Sequence, residues 1–543
     1  MNTAAQSIVS TPTYEQLLEE ITFLHRQIKA LAEDKTDLED RIRLLKRLRF
    51  APKTEVQGKG QGTLFNEAET LSAEDSEDVA EDAEDAAEMG KDEPKPKPKN
   101  RGKPVRKSLP KDLPTIDTVV DLPDSEKVCP VTGVALKKIG EEITEQLDVK
   151  PALAVMLRTI RPKYAPCDCA DCQARRDDPK NSAEAVVKIM PLPPQPIPKS
   201  FASPGLLATI ATAKYGDGLP LYRQEEIFGR IGVELTRQTI AGWMVRCGEI
   251  VKPLINLAKD ELISGPVILC DETRVQVLKG TGKKPTAKNY MWCFASGSDR
   301  AENIVIFELG PGRGHDVPMR FLADYEGYLH TDGYEAYETL AAKCPKIILV
   351  GDWVHTRRKF DEAIKAFPKD FKGEIKIKVG FDMINELFRI DRDEIPEAAT
   401  NETRHRIRQE KSRSLIDELK SWAEDLLPTM RPKSLSGIAL RYMLDRWAKL
   451  VLFLEQPILG LDTNDVENAI RPFVMGRKAW LFSATVAGAE ASAALYSLIS
   501  MARAHDHNVY EYLKAVFTEM PRANTADDVA ALLPWNWKPA TAS

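Results

Sequence analysis

The chain is 543 residues long, 43% hydrophobic and 29% charged, with a formal net charge of −6. That length calls for several domains, and that apolar content supplies sizeable cores. The start, Met1 to Ser7, lacks the basic and apolar regions of a signal peptide, and the apolar run Leu450–Leu454 meets Glu455 and Pro457 too soon to span a bilayer, so a soluble, cytoplasmic chain without a membrane partner is expected.

Along the chain, the first pattern is a heptad seam. Leu17, Leu24, Leu31, Leu38 and Leu45 recur every seven residues, and Tyr14, Ile21, Ile28, Lys35 and Ile42 precede each by three. Isoleucine at a and leucine at d favour a parallel two-stranded coil, while Lys35 at an a position costs stability and sets register. Residues 12–50 are therefore expected to be a coiled-coil helix through which the chain self-associates, the competing reading being a helix packed on its own domain. Its basic end, with Lys46, Arg47 and Arg49, is placed to touch phosphate.

The negative charge is local. Residues 66–93 carry thirteen Asp or Glu against one Lys, a local −12, which leaves about +6 for the remainder. This block is poor in aromatic and β-branched residues, and the proline-rich basic run Lys95–Lys107 follows it, so 51–112 reads as a disordered linker. The sharper alternative is an acidic tract that competes with DNA for basic surface.

The eight cysteines suit a reduced compartment, and Cys129, Cys167, Cys169 and Cys172 have the density of a tetrahedral Cys₄ zinc site within a small domain at 113–195. Residues 196–262 read as helical. Two amphipathic stretches about Gly232 make a helix-turn-helix candidate, with Thr236, Arg237, Gln238 and Thr239 opening the second helix, where base-edge contacts arise.

Three acids then stand out. Asp271 closes the apolar run Gly265–Cys270, Asp332 closes Gly327–Thr331, and Glu467 lies in a helical stretch, Thr463–Pro472. Strands are expected at Tyr290–Ala295, Asn303–Leu309 and Lys346–Val350, with a helix near 316–325. That order is ribonuclease-H-like. In it two strand-borne aspartates and a helix-borne glutamate can converge on a pair of Mg²⁺ (or Mn²⁺) ions, hard cations that need few protein oxygens. The 135 positions between Asp332 and Glu467 exceed the bare fold, and residues from about 365 to 455 read as an all-helical insertion. Its charged run Arg404–Ser412 is a solvated face or the lining of a DNA channel. The catalytic domain is thus expected over 263–505, with a helical tail over 506–543.

Supporting cations are expected around the carboxylates. His355, Arg357, Arg358 and Lys359 open a helix after the fifth strand, and Arg471 lies one helical turn from Glu467. Lys478 lies about three turns on, with Pro472 expected to break or kink the helix between them. All six are candidates for phosphate contact or for structural ion pairs.

The words Asp271-Glu-Thr, Asp332-Gly-Tyr, Trp353-Val-His-Thr-Arg-Arg-Lys-Phe360, Glu467-Asn-Ala-Ile-Arg-Pro472, Gly476-Arg-Lys-Ala-Trp-Leu-Phe482, Tyr496-Ser-Leu-Ile499 and Leu533-Pro-Trp-Asn-Trp537 occur in one order. In that order they resemble the large transposase of the insertion-sequence-sixty-six family, a branch of the DDE transposases. The resemblance implies a multidomain α/β chain: a coiled-coil helix, a small zinc-binding module, a helix-turn-helix region and a ribonuclease-H-like mixed sheet with a helical insertion. It implies Mg²⁺-dependent 3′-end cleavage and strand transfer on double-stranded DNA, binding of the element's terminal repeats, Asp271, Asp332 and Glu467 as the metal-holding acids, and small accessory proteins as partners. From its position on the first strand alone, Asp271 is expected to bridge both ions, with Asp332 and Glu467 each completing one.

The sequence departs from the family pattern in places. Cys129-Pro-Val-Thr132 lacks the second cysteine of its pair, for which Cys167 is a candidate replacement. Asp352 stands where a cysteine is usual, Asn468 where arginine is common, and Ala479 where asparagine is common. Since all three acids are present, an active enzyme is expected over a silent DNA-binding repressor or a nuclease without strand transfer.

Overall fold

The computed structural model describes residues 14–50, 163–164, 188–189, 193–280, 288–297, 302–368, 370–396 and 398–539, with Leu157, Thr159 and Arg300 besides. Cys129, Cys167, Cys169 and Cys172 lie outside the described residues, as does the linker. Within the small domain expected over 113–195, Lys163–Tyr164 (β1) pairs antiparallel with Lys188–Ile189 (β2).

Helix α1, Tyr14–Phe50, is continuous. Every apolar a and d residue from Tyr14 to Leu45 is between 43% and 77% exposed, so the seam is open along its length. A different face of the helix docks on the chain. Leu44 and Asp37 are buried, Arg431 pairs with Asp37 at 2.7 Å, and Lys433 pairs with Asp34 at 2.9 Å. Arg43 Nε donates to the carbonyl of Ala366 at 3.0 Å and Arg47 Nη2 to that of Phe367 at 2.8 Å. The helix thus packs on its own domain by one face and leaves the heptad seam exposed on another, and Arg47 is engaged within the protein rather than held out for phosphate.

The helical region contains α2 (Pro204–Ala211, continued by a π turn, Thr212–Gly216), α3 (Leu221–Arg230) and α4 (Arg237–Ile263). Gly232 turns the chain between α3 and α4 at φ +79°, a conformation costly for other residues. Thr236 caps α4, its hydroxyl accepting from Thr239 N. The second helix is not short: α4 runs 27 residues. Its apolar face, Ile240 to Leu262, packs continuously into the main core, which carries the helix far past one recognition segment.

Six strands form the sheet: β3 (Val267–Lys279), β4 (Lys288–Ser296), β5 (Val305–Gly310), β6 (Gly327–His330), β7 (Ile347–Val350) and β8 (Ser483–Thr485). The order is β5-β4-β3-β6-β7, antiparallel across β5, β4 and β3 and parallel across β3, β6 and β7, with β8 pairing the far end of β3. The helices α5 (Asp316–Phe321) and α6 (Glu335–Lys343) fill the connections. Phe321 of α5 stacks on Phe294 of β4 at 3.7 Å between centroids. This is the expected ribonuclease-H-like order. The first strand is longer than expected, however, and Asp271 lies inside it rather than at its end.

After β7, α7 (Trp353–Ala366) leads into the all-helical insertion: α8 (Ile377–Arg389), α9 (Asn401–Ile407), α10 (Arg413–Leu426), α11 (Leu435–Asp445), α12 (Trp447–Leu450) and α13 (Leu452–Glu455). It has its own core, including Phe360, Ile384, Leu419, Leu440 and Phe453. The charged run expected on its surface is partly internal. Arg408 is fully buried, with Nε 2.7 Å from Asp391 and Nη1 donating to the carbonyls of Phe453 (3.1 Å) and Leu459 (2.9 Å). Replacing it strands one carboxylate and two carbonyls, so Arg408→Ala should cost about 3 kcal/mol. Urea unfolding checks this, and a loss under about 1 kcal/mol would mean that water replaces the guanidinium without penalty.

The chain returns through α14 (Asn464–Trp480), β8, α15 (Val486–Ala504), α16 (Val509–Glu519) and α17 (Ala526–Ala530). A single core takes in residues from Ala202 to Leu533, α4, α14, α15 and α16 included. Pro472 does not break α14, which is one uninterrupted helix. Neighbouring contacts, such as the edge-to-face packing of Phe473 on Trp480 and on Tyr496, hold it through the missing hydrogen bond. Among the described residues, no helix is long and apolar enough to cross a membrane.

Candidate functional site

Side chains alternate across a strand, and β3 uses both faces. Cys270 and Glu272 point toward α6, whose Tyr337 hydroxyl lies 3.4 Å from Cys270 Sγ and donates to Glu272 Oε2 at 2.7 Å. The odd positions point the other way, where Arg477 of α14 donates to Thr273 Oγ1 at 3.2 Å and to the carbonyl of Arg274. Asp271 therefore shares its face with the helix that carries Glu467.

Asp332 follows β6 in a turn. Its Oδ1 accepts from Tyr334 N at 2.9 Å, and its carbonyl accepts from the Tyr442 hydroxyl at 3.0 Å. Gly333 has φ +81°, and a β-carbon there would come within 2.7 Å of Arg446 Nε, so only glycine fits the turn that presents Asp332.

These acids act on one another. Burial, then the charges of Glu272, Asp332 and Glu467, hold Asp271 well above the usual carboxylate range. Burial and Asp332 push Glu272 up to about 7 despite Arg313 and Tyr337. Arg313 offsets part of this: Nε is 2.6 Å from Glu272, Nη2 is 3.9 Å from Asp332, and the guanidinium sits 3.9 Å from the centroid of Tyr334. Glu272 is thus committed to Arg313 and Tyr337. Sequence reasoning missed Glu272, Arg313 and Tyr337 as members of the site. The strand alternation places Glu272 opposite Asp271, but the loop carrying Arg313 has no comparable pattern.

A second cluster adjoins the first. Asp352 caps α7, Oδ1 accepting from Val354 N (2.6 Å) and His355 N (3.3 Å). Its Oδ2 lies 2.9 Å from His355 Nδ1 and accepts from the Thr463 hydroxyl at 2.6 Å. Thr463 precedes α14, so this bond joins the start of the helix bearing Glu467 to the start of the helix bearing His355. Asp352, His355 and Glu467 offer ligand atoms within 4.8 Å of one another. All the acceptor positions of Asp352 are occupied, which suits it to hold His355 rather than to ligate an ion. Burial would raise Asp352, but His355, with help from Thr463, brings it down to about 2. Burial would lower His355, but Asp352, then Asp332 and Glu467, raise it to about 10. The Asp352 carboxylate thus favours the imidazolium form of His355 at neutral pH.

The other predicted residues separate. Arg358 lies close enough to Glu467 to feel its charge, against the lowering effect of burial. Arg471 and Lys478 share the Glu467 side of the unbroken α14, Lys478 exposed and Arg471 half-buried. Two of the cations have structural partners. Arg357 is buried, donates to Asn385 Oδ1 and lies over Phe381, because its position on α7 faces the insertion core. Lys359 pairs with Glu362 at 3.5 Å and lines the groove beneath α1 with Leu44 and Leu45. Arg237 and Gln238 are exposed in the first turn of α4, as a base-reading position requires.

Family models match most of the chain. The model described as the transposase IS66 family covers residues 199–491, and the IS66 C-terminal element covers 497–535. The zinc-finger binding domain of transposase IS66 covers 126–172, and the transposase C of IS166 homeodomain covers 37–118. The chain is 33% identical over 458 residues to the uncharacterized protein y4qI of Sinorhizobium fredii, spanning 82% of this chain and 79% of that one. It is 32% identical over 441 residues to y4jD of the same organism, spanning 79% and 81%.

Proposed function

The chain belongs to the IS66 family of DDE transposases, and we propose that it cleaves the 3′ ends of its mobile element and joins them to target DNA through Asp271, Asp332 and Glu467. The observation that carries this reading is the gathering of three acids from β3, the β6 turn and α14 around a position where their charges oppose one another. Repulsion of that kind is relieved by a cation, and an all-oxygen donor set suits Mg²⁺ or Mn²⁺. Two such ions would stabilise charge on the attacking and leaving oxygens. Asp271, the central acid, would contact both, with Asp332 and Glu467 each completing one.

The chain's own groups supply the rest. Arg313 holds Glu272 and stands beside Asp332, keeping the back of the site neutral. The His355 imidazolium and Arg358, both near Glu467, are placed to hold a non-bridging phosphate oxygen while the element's 3′-hydroxyl is freed and then attacks target DNA. No covalent protein intermediate is required. Arg237 and Gln238 read the terminal repeat, and Arg471 and Lys478 hold backbone phosphates. The open a/d seam of α1 pairs with a second copy of the chain, since an exposed isoleucine–leucine seam of that length is stable only when covered. Cys129, Cys167, Cys169 and Cys172 hold zinc, and accessory proteins of the same element assist.

Strand cleavage of labelled duplex carrying the element's own ends tests this with Mg²⁺ present. Wild type should nick at the terminus. Asp332→Ala should bind equally well but lose at least about a thousandfold in cleavage, the rate equivalent of several kcal/mol of charge stabilisation. Equal cleavage by both proteins would remove Asp332 from the mechanism.

A further inference from the structure

The helix that carries Glu467 ends in a strained turn. Leu481 has φ +65° and ψ −50°, and Phe482 N donates back to the Trp480 carbonyl at 2.8 Å. This is the γ-turn of positive φ, a rare and costly form, and glycine would relieve it. A bulky aliphatic residue occupies it instead. Its side chain is 65% exposed, and that of Phe482 is 42% exposed. The turn is clamped on both sides, by α14 before it and by β8 after it, whose Ser483 and Thr485 pair with Val277 and Lys279 of β3. Two large apolar side chains are therefore held rigidly toward solvent at a backbone cost.

Their surroundings are cationic. At 100° per residue, Arg471 and Lys478 fall within about 40° of Glu467 around α14, and Met475, 49% exposed, lies on the same ridge. Lys214 Nζ sits 5.2 Å from the centroid of the Trp480 ring just behind the turn. Exposed Lys478 and half-buried Arg471 thus lie between the acidic site and the apolar pair on one side of the helix. Cations in that position suit a polyphosphate backbone, and the apolar pair is too small for a protein interface, which buries about 800 Å² on each side. Leu481 lies fourteen positions beyond Glu467, a rise of about 21 Å along the helix. That distance is about six base pairs of duplex.

We propose that Leu481 and Phe482 are a wedge that enters the base stack of duplex DNA about six base pairs from the scissile phosphate, while Lys478 and Arg471 hold the intervening backbone. The wedge rests on the proposed end-cleavage function, since it needs a duplex lying along α14 from the acidic site. It would unstack one step and fix the register of the bound end relative to the carboxylates.

The test uses the full chain and duplexes of the element's terminal repeat with 2-aminopurine placed stepwise inward and outward from the cleavage point. Wild type should brighten the probe in one narrow window about six base pairs away. Leu481→Gly with Phe482→Ala should abolish that window and lower cleavage about tenfold or more, with affinity nearly kept. Leu481→Gly alone relieves the turn, so its melting temperature should hold or rise, and lost brightening there cannot be assigned to unfolding. A bound duplex with no bright window, or a window that the double variant keeps, overturns the wedge. Cleavage that fails in wild type with the accessory proteins added, while the window is present, would overturn the end-cleavage reading and leave only the insertion of the pair into bound duplex. Failure to bind the duplex would sink both.

Discussion

Asp271→Asn should be more heat-stable than the parent without divalent ions, gain nothing when Mg²⁺ is added, and cut no DNA. The reason is the field at β3. Burial and three neighbouring carboxylates raise Asp271 well above its usual range. A carboxyl whose folded value exceeds its unfolded value binds its proton more tightly when folded, so stability falls as pH rises from the unfolded value through the folded one. At neutral pH a carboxyl group at this position therefore opposes folding. Asparagine has the same shape without the charge, and removing that opposition should raise the melting temperature by a few degrees, at about 2–4 °C per kcal/mol for a chain of this size. The parent should recover the difference with Mg²⁺, since an ion at a hundred times its Kd stabilises by about 2.7 kcal/mol. Thermal melts of both proteins with and without Mg²⁺ decide the matter. A variant that melts lower in the absence of metal, or that still responds to Mg²⁺, would show that Asp271 is not the centre of the ion site.

The fold was legible where periodicity is strong. The heptads of α1, the strand order of the sheet and the helical insertion follow from apolar spacing, and the two aspartates follow from where that spacing stops, whereas Glu467 lies inside a helix. What escaped depends on three-dimensional closure. A run of apolar residues ending at Cys270 suggests a strand that ends there, but β3 continues because Glu272 to Gln276 pair with β4 through polar and apolar positions alike. Pro472 signals a break, yet tertiary packing on Phe473 outweighs one lost hydrogen bond. The cations of α7 look alike in sequence: His355 and Arg358 approach Glu467, Arg357 enters the insertion core, and Lys359 faces α1. Which face of α7 meets which neighbour is set by the insertion, whose position no local pattern records. Arg313 is the clearest omission, a loop residue that matters only because the loop returns over Glu272.

Asp352 shows how a departure from a family pattern can be absorbed. With its acceptor positions filled, it neither adds a free acid to the site nor sits idle, but sets the charge of His355. His355, at about 10, lies above its ordinary 6.5, so its stabilising contribution is complete below 6.5 and lost as pH rises through about 10. Asp352, at about 2, lies below its ordinary 3.8, so its contribution is complete above 3.8 and lost as pH falls through about 2. Both are fully present between those ordinary values, and the His355 contribution declines steadily as pH rises from 6.5 toward 10. Asp352→Asn keeps an oxygen for the amides of Val354 and His355, because asparagine is as good a helix cap as aspartate. It removes the charge, so the variant should lose about 1–3 kcal/mol of stability, and His355 should fall toward 6.5. With Mg²⁺ bound, Asp332 and Glu467 are neutralised and cannot replace what Asp352 supplied. End cleavage, flat from pH 6 to 9 in the parent as long as the imidazolium persists, should then decline in the variant as pH rises past about 7. The imidazole resonances of His355, followed by NMR against pH in both proteins, give the direct reading. A histidine still titrating near 10 in the variant with Mg²⁺ present would move the source of its charge from Asp352 to the acidic site itself.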